Sequence, residues 1–366
     1  MTAGGPTRFA RFVLPGLAFK AVVIGGGYAT GRELAEFFLP AGPWGGVAGM
    51  VLATAIWSIV AALTFALAYA IKAYDYRTLF RALLGPRWVA FEVAYLLFVV
   101  VILAVFGAAA GTIGAATLGV PQIAGTLALA AAIVAVATFG TPAVEALFKY
   151  VSFMLYAVYA VFLVLAVSHF GSGINHAFAA SPVSHDWAMG GMTYASYNIV
   201  GAVVILPVLR HLTSRRDAVT AGLIAGPLAM APAIVFFTAM TAFLPAIANA
   251  ALPSDVMLTA LNAPAFRLLF QAMIFAALLE SGTGAVHAIV ERVNTARGRD
   301  LGRGGRAALA AAVVIACVFV ADRFGLVALI ADGYRLLAVV IFVVYIVPLL
   351  TVGIIRLRRA PPLETL

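Results

Sequence analysis

An acidic residue, Glu280, lies near the centre of an apolar run that spans residues 265–292. A charged side chain at the centre of a membrane helix costs about 2.5–3.5 kcal/mol on insertion scales, and such residues usually face the protein interior. Glu280 is therefore a candidate proton carrier. The alternative is a structural pair with Lys20, which lies inside the apolar run 9–38, or with His287, two helical turns further on.

Four glycines interrupt an earlier apolar run, residues 9–38, at Gly25, Gly26, Gly27 and Gly31. Each glycine inside a helix costs about 1 kcal/mol relative to alanine, so the cluster predicts a break. Backbone groups freed inside a membrane must bind protein, water or a ligand, because hydrocarbon offers no hydrogen bonds. The alternative is close helix packing, since Gly27 and Gly31 have the spacing typical of small residues at helix contacts.

A second polar segment lies in the apolar run 188–210 and contains Thr193, Tyr194, Ser196, Tyr197 and Asn198. By our count it belongs to the sixth span, five spans after the glycine cluster. A repeat of five spans inserts its second copy upside down. Such inverted repeats with paired broken helices are typical of secondary transporters that hold their solute near mid-membrane. The two halves share no clear residue-level identity, so the repeat rests on helix count and break position.

The elements that carry these residues are predicted to be membrane helices. The chain has 366 residues, of which 64% are apolar and 10% charged. Soluble domains have about 45–50% apolar and about 25% charged residues, so a soluble enzyme, a nucleic-acid binder and a secreted module are excluded. The sequence predicts an all-α polytopic membrane protein with one transmembrane domain (1–366) and two five-helix repeats (9–170 and 188–357). The ten predicted spans are 9–38, 44–71, 88–118, 122–140, 147–170, 188–210, 218–247, 265–292, 307–322 and 333–355.

Basic residues predict the orientation of these spans. With the N-terminus in the cytoplasm, 18 of the 23 lysines and arginines fall in cytoplasmic segments. This asymmetry is typical of membrane proteins and supports the count of ten, because one miscounted helix would reverse every later loop. The expected location is a bacterial-type inner membrane, with both termini cytoplasmic. The first apolar run is expected to be retained as a span, since Lys20 interrupts it and no cleavage site follows.

Motifs for other chemistry are absent from the sequence. It contains no HExxH, CxxC or GxxxxGK[ST] pattern, so neither metalloprotease chemistry nor ATP-driven transport is supported. His176, His185 and Asp186 lie in a predicted loop, 171–187, but their spacing is too loose to predict a metal site. We expect no catalytic residue, no metal site and no cofactor, and the protein is not expected to be an enzyme.

The segment Gly25–Leu34, followed by Phe37 and Phe38, resembles the first helix of the YkvI-like bacterial membrane proteins, as do part of the sixth span and residues 280–284. These proteins form a branch of the amino acid–polyamine–cation (APC) superfamily, which has the LeuT fold. The resemblance implies ten helices in two inverted repeats, with helices 1 and 6 discontinuous. It also implies alternating access and a solute that is often an amino acid.

The resemblance also implies where a solute is held. N–H groups at the first break would receive a substrate carboxylate, since the start of a helix is positively polarised. The second polar segment would bind the amine, and Phe106 would line the cavity. The substrate-binding candidates are Gly25, Gly26, Gly27, Tyr28, Ala29, Phe106, Tyr194, Tyr197 and Asn198. Packing in the core or against lipid remains the alternative for each aromatic residue.

Sodium sites of this family join carbonyl oxygens of helix 1 to hydroxyl groups of helix 8. Ser281 and Thr283 are the equivalent residues here, with a carbonyl near Gly25, so Na⁺ is a possible coupling ion. Glu280 departs from that hydroxyl pair, and it could itself be a cation ligand. The ion-coupling candidates are Glu280, Ser281, Thr283 and Lys20.

Charged residues at the two ends of the helices are candidate gates. Arg32 and Asp332 are expected to pair on the outer side, and Arg8 or Arg11 is expected to pair with Glu291 on the inner side. Unpaired interfacial charges are the alternative.

The sequence thus predicts a secondary transporter of a small organic solute, an amino acid or related amine, coupled to H⁺ or Na⁺. Helices 1, 2, 6 and 7 are expected to rock against helices 3, 4, 8 and 9. The expected partners are the solute and membrane lipid, with no nucleic acid. The alternative is an uncoupled channel or a non-transporting assembly factor with the same fold.

Overall fold

The computed structural model describes residues 7–139, 141–180, 186–297 and 301–359, and in these residues the secondary structure is entirely helical. The α-helices are α1 (Arg8–Phe12), α2 (Leu14–Val23), α3 (Gly26–Thr30), α4 (Arg32–Phe37), α5 (Gly42–Ala70), α6 (Tyr76–Leu84), α7 (Val89–Leu118), α8 (Gln122–Phe139), α9 (Thr141–Ala180), α10 (Trp187–Asn198), α11 (Val200–Val204), α12 (Arg215–Thr241), α13 (Pro253–Ala260), α14 (Pro264–Arg297), α15 (Gly302–Ala328), α16 (Tyr334–Ile341) and α17 (Ile354–Arg359). Short 3₁₀ turns cover Leu39–Ala41, Gly85–Trp88, Leu206–His211 and Ala246–Asn249, and π-helical turns cover Leu329–Gly333, Phe342–Ile346 and Leu349–Gly353.

The first predicted span is divided into short helices at its glycines. Helix α2 ends at Val23, and Gly25 has an extended backbone (φ −102°, ψ −166°) before α3 begins. Helix α3 ends at Thr30, and the next residue, Gly31, is left-handed (φ 80°, ψ −2°). A left-handed residue strongly favours glycine, because a β-carbon would crowd the following carbonyl. Helix α4 therefore leaves the turn in a new direction.

Seven helical segments of the described residues are long and apolar enough to cross a membrane: Arg32–Ala70, Tyr76–Leu118, Gln122–Phe139, Phe153–Ala180, Arg215–Thr241, Pro264–Asn294 and Gly302–Arg359. Helix α2 is a shorter apolar helix. The last segment includes a turn at Gly325 (φ 73°, ψ 170°). The ten-span count stays a prediction. The predicted loop 171–187 was wrong in part, because α9 continues as a helix to Ala180.

The sixth predicted span has a local irregularity at Ile199, a residue that keeps right-handed helical dihedral angles (φ −63°, ψ −15°). Helix α10 ends at Asn198, Ile199 separates it from α11, and the Ala202 N–H donates to the Ile199 carbonyl oxygen at 2.9 Å. This bond has the shorter i→i+3 spacing of a 3₁₀ turn.

Small residues allow α5 to pack closely on α10 and α12. A β-carbon at Gly222 would overlap the backbone of Ala62, and one at Gly191 would overlap the carbonyl oxygen of Gly49. The Trp57 indole N–H of α5 donates to the carbonyl oxygen of Ala195 at 3.1 Å. These contacts hold α10 and α12 against α5 inside the bundle.

Candidate functional site

The buried carboxylate of Glu33 lies where the first and sixth predicted spans meet. Only 3% of the Glu33 surface is exposed. The Tyr197 hydroxyl donates a hydrogen bond of 2.7 Å to Glu33 Oε2. The Glu33 side chain also packs directly on Gly27, because a β-carbon on that glycine would overlap its Cγ, Cδ and Oε1 atoms. The left-handed turn at Gly31 folds α4 back far enough for this contact.

Two further polar groups surround this carboxylate. The Asn198 side chain and the backbone amide of Tyr28 both lie beside it. The Asn198 amide also donates to the carbonyl oxygen of Tyr194 at 3.2 Å, which ties it to its own helix. Glu33 therefore connects the first turn of α3 to the last turn of α10.

Glu33 has no cationic partner within the described part of the chain. The adjacent Arg32 side chain turns away from it and binds the carbonyl oxygens of Ala248 and Ala250 and the carboxylate of Glu36. A buried charge without a partner is costly, and at membrane depth it usually marks a functional site.

Aromatic rings enclose the same region. The Tyr197 ring centroid lies 4.5 Å from that of Tyr334, 5.8 Å from that of Tyr194 and 5.9 Å from that of Phe37. Tyr194, Tyr197 and Tyr334 are all close enough to Glu33 to interact with it electrostatically. The Tyr194 hydroxyl is buried, and no described residue accepts or donates a hydrogen bond to it.

Five of the predicted substrate-binding residues lie close to this carboxylate, namely Gly27, Tyr28, Tyr194, Tyr197 and Asn198. Gly25, Gly26, Gly27, Tyr28 and Ala29 are all buried. The Phe106 ring lies against the break, since a β-carbon at Gly25 would stand 3.0 Å from its Cε1 atom. A β-carbon at Gly26 would overlap the Leu278 side chain of α14 and would stand 3.0 Å from Cδ1 of Phe106.

Two of the predicted ion-coupling residues, Lys20 and Glu280, line one small cavity of about 20 Å³ together with Tyr156. Lys20 is 4% exposed, and its Nζ atom lies 3.1 Å from the centroid of the Tyr156 ring. The structure therefore brings Lys20 close to Glu280, as the structural-pair alternative requires.

The two predicted sodium ligands differ in environment. Thr283 is fully buried, and its hydroxyl has no hydrogen-bond partner among the described residues. Ser281 is half-buried.

The predicted outer gate has different partners from those expected. Arg32 binds Glu36 at 2.8 Å, and Arg335 binds the other oxygen of Glu36 at 2.6 Å. Asp332 is exposed, so the expected Arg32–Asp332 pair is absent from this structure. Glu36 lies closer to Arg32 than Asp332 does, because it follows Arg32 by one turn of the same helix. Arg–x–x–x–Glu spacing was the available signal.

The predicted inner gate also has another acidic partner. The Arg11 guanidinium donates two hydrogen bonds of 2.7 Å to the two oxygens of Asp217. The side chain of Glu291 lies outside the described residues, and Arg8 is exposed. Asp217 is held in place by the Thr213 hydroxyl and by the start of α12, where Ser214 caps its amide. Ser–x–x–Asp at the start of an apolar run was the signal for this position.

Sequence reasoning overlooked Glu33, although the signal was present. Glu33 lies inside the predicted first span, directly after the glycines.

The histidines that were considered as loosely spaced metal ligands form no visible site in the described part of the chain. His176 is exposed, and His185 lies outside the described residues. No group of three metal-ligating side chains was found among the described residues.

This geometry and the helical fold define a class, a polytopic membrane protein with a buried polar centre between two interrupted apolar segments. No protein-family model matches the chain. It is 26% identical over 214 residues to the uncharacterized membrane protein YkvI of Bacillus subtilis (strain 168), and the match covers 57% of this chain. The chain spans 61% of that relative's length.

Two solved structures share the fold over 98% of this chain. The first is Mhp1, a nucleobase-cation-symport-1 family transporter, in a closed conformation with bromovinylhydantoin bound; the TM-score is 0.65, with 18% identity and 82% of that chain covered. The second is MhsT in complex with L-phenylalanine; the TM-score is 0.58, with 14% identity and 99% of that chain covered. The predicted resemblance to YkvI is confirmed, and the chain has the LeuT fold. None of these three proteins is described as an enzyme, in agreement with the prediction.

Proposed function

We propose that the protein is a secondary active transporter that moves a small organic solute across a bacterial-type inner membrane by alternating access. The observation that carries this proposal is the contact between the interrupted first span and the polar end of α10 around the buried Glu33. Both structural neighbours have a small organic ligand bound, bromovinylhydantoin in one and L-phenylalanine in the other, which supports the same type of site here.

The proposed architecture has ten spans in two inverted repeats, with the first and sixth spans discontinuous. The extended backbone at Gly25, the left-handed turn at Gly31 and the irregular turn at Ile199 support paired discontinuities. Their positions agree with the role that broken helices have in transporters, where they supply free backbone groups to a solute.

The proposed solute is an amino acid or a related amine. It would bind between the Gly25–Ala29 segment and the side chains of Tyr194, Tyr197 and Asn198, with Phe106 on the third side. These groups offer amide N–H donors, an amide side chain and aromatic surface, which suit a small polar organic molecule.

Two coupling ions remain in competition. A proton could be carried by Glu280 beside Lys20, whereas Na⁺ could bind between carbonyl groups near Gly25 and the hydroxyls of Ser281 and Thr283. The buried hydroxyl of Thr283, which has no hydrogen-bond partner in the described part of the chain, favours the sodium alternative. The small cavity shared by Glu280 and Lys20 favours the proton.

The two charged networks are the proposed gates. Arg32, Glu36 and Arg335 would close the outer side, and Arg11 with Asp217 would close the inner side, with both termini in the cytoplasm. Each network joins elements far apart in sequence, so opening one requires helices to separate.

Purified protein in liposomes tests this proposal. A thermal-shift screen of amino acids and amines, with and without Na⁺, first identifies a solute, because a ligand of the native state raises the unfolding temperature. Uptake of that solute is then measured under an imposed pH or Na⁺ gradient. Coupled transport predicts accumulation that follows one of the two gradients.

Variants in each ion site distinguish the coupling ion. Glu280→Gln is expected to abolish pH-driven accumulation if the proton is coupled, and Thr283→Val to abolish Na⁺-driven accumulation if sodium is. Gradient-insensitive uptake would indicate an uncoupled channel. No uptake of any bound solute would indicate a non-transporting protein.

A further inference from the structure

The polar centre contains an acid, Glu33, where a substrate carboxylate was expected, and no cationic side chain of the described residues pairs with it. The Glu33 side chain covers Gly27 and lies beside the backbone amide of Tyr28. Both residues belong to the segment that the family resemblance assigned to the carboxylate of an amino acid. A second carboxylate at this position would face Glu33 at short range, and like charges in a buried site repel strongly.

The charge of Glu33 is balanced by no described side chain. Its hydrogen-bond donors, the hydroxyl of Tyr197 and the neighbouring amides, are all neutral. Arg32 is the nearest cation in sequence, but its two terminal guanidinium nitrogens bind Glu36 and two carbonyl oxygens instead. A carboxylate accepts about four hydrogen bonds, so Glu33 retains acceptor capacity for a cationic donor.

Aromatic surroundings determine which cation fits best. Tyr194, Tyr197, Tyr334 and Phe37 form one cluster of rings whose members contact one another near Glu33. Ring faces attract organic ammonium groups, and cages of aromatic rings are a recurrent arrangement for such ligands. The buried Tyr194 hydroxyl, which has no partner among the described residues, offers a further polar contact.

We propose that Glu33 is the specificity-determining residue of this site, and that the solute is an organic ammonium cation without an α-carboxylate. Glu33 binds the ammonium group, and the rings of Tyr194, Tyr197, Tyr334 and Phe37 bind the adjacent carbon atoms. This inference rests on the proposed transport function for its biological meaning, although the binding it describes is measurable without transport.

Two matched sets of ligands test the charge requirement. One set is phenethylamine, L-phenylalanine and 3-phenylpropionate, and the other is isopentylamine, L-leucine and 4-methylpentanoate. Within each set the carbon skeleton is constant while the charged groups change. Binding to the full chain in detergent is measured by thermal shift and calorimetry.

We expect at least one amine to bind about 10- to 100-fold more tightly than its amino acid and its acid, as a charge-assisted hydrogen bond predicts. Tighter binding of an amino acid or an acid than of its amine overturns the proposal, and so does the absence of binding by both amines. Stabilisation by Na⁺ alone that requires Glu33 would assign this residue to ion coupling and would also overturn it.

Variants of the acid separate its charge from its structural role. Glu33→Gln should weaken amine binding about 10- to 100-fold, whereas Glu33→Asp should keep the preference for amines. Asp75→Asn, at an exposed carboxylate that caps α6, is the matched control and should leave binding unchanged. Equal amine binding by Glu33→Gln and the unaltered protein would contradict the proposal.

Chemical protection tests the unaltered protein, in case the variants do not fold. Dicyclohexylcarbodiimide modifies buried carboxyl groups, and mass spectrometry locates the adduct. The amine that binds should protect Glu33 from modification, whereas protection of Glu280 alone would overturn the proposal. Failure of transport is distinguishable, because amine binding without gradient-driven uptake would refute the proposed function and leave this inference intact.

Discussion

At the scale of single residues, the main polar contact of the buried site is the hydrogen bond that Tyr197 donates to Glu33. The Glu33–Tyr197 bond is 2.7 Å long and joins residues 164 positions apart in the sequence. Nearby, the hydroxyl of Tyr194 is equally buried but has no partner among the described residues. Two tyrosines three positions apart on α10 therefore differ in what their hydroxyl groups contribute.

Substitution of each tyrosine by phenylalanine should show this difference. Tyr197→Phe removes a donor from a buried carboxylate and should lower the free energy of unfolding by about 1–3 kcal/mol. Tyr194→Phe removes a hydroxyl that makes no bond and should leave stability unchanged or slightly raised. Thermal unfolding in detergent measures both variants, and equal losses would show that the Glu33–Tyr197 bond contributes nothing specific.

At the scale of elements, glycines determine how closely the helices approach and where they turn. Gly31 is left-handed, and a β-carbon there would lie 2.6 Å from Cε1 of Phe236 and 3.2 Å from Cβ of Pro253. Gly119 is also left-handed (φ 67°), but nothing lies within 4 Å of the position that a β-carbon would take.

Alanine at these two glycines separates backbone strain from crowding. Gly119→Ala should cost about 1–2 kcal/mol, from the left-handed backbone alone. Gly31→Ala adds overlap with α12 and should cost about 2–5 kcal/mol, since overpacking typically adds about 1–3 kcal/mol. It should also weaken solute binding, because α4 carries Glu33. Unfolding midpoints that are equal for the two variants would contradict this account of Gly31.

Close packing of α5 on α12 gives a second prediction about elements. Gly222→Ala places a methyl group into the backbone of Ala62 and should destabilise the protein by about 1–3 kcal/mol. Gly304→Ala is the matched control, since Gly304 is an exposed helical position with nothing nearby. There alanine should stabilise by about 0.5–1 kcal/mol through its better helix propensity. Opposite signs in thermal unfolding are the expected result.

The sequence predicted some of these elements well and others poorly, for physical reasons. The position of the first break was predictable, because four glycines in seven residues oppose a helix wherever they occur. The end of α9 was not, since residues 171–180 are polar enough to resemble a loop and still continue the helix. The acidic partner of Arg11 was missed because that pairing depends on which helices become neighbours. Glu36 was missed although its spacing from Arg32, one turn along the same helix, was visible in the sequence. Glu33 was missed because the sequence does not show that its side chain packs back onto Gly27.

At the scale of the whole molecule, two charged networks lie on either side of the polar centre in the proposed orientation. The outer network joins Arg32, Glu36 and Arg335, and the inner one joins Arg11 to Asp217. Glu33 and its aromatic neighbours are almost completely buried between them. A solute can reach this centre only if the helices on one side move apart, which is the requirement of alternating access.

Accessibility of a thiol at the polar centre tests this claim most directly. Asn198→Cys, in a Cys317→Ala background, places a reactive group beside Glu33, and a membrane-impermeant thiol reagent is applied to either face of sealed vesicles. Asp217→Asn should raise labelling from the inner face and lower it from the outer face. Glu36→Gln should have the opposite effect. Labelling from neither face in any variant, or from both faces equally in one variant, would contradict alternating access to this site.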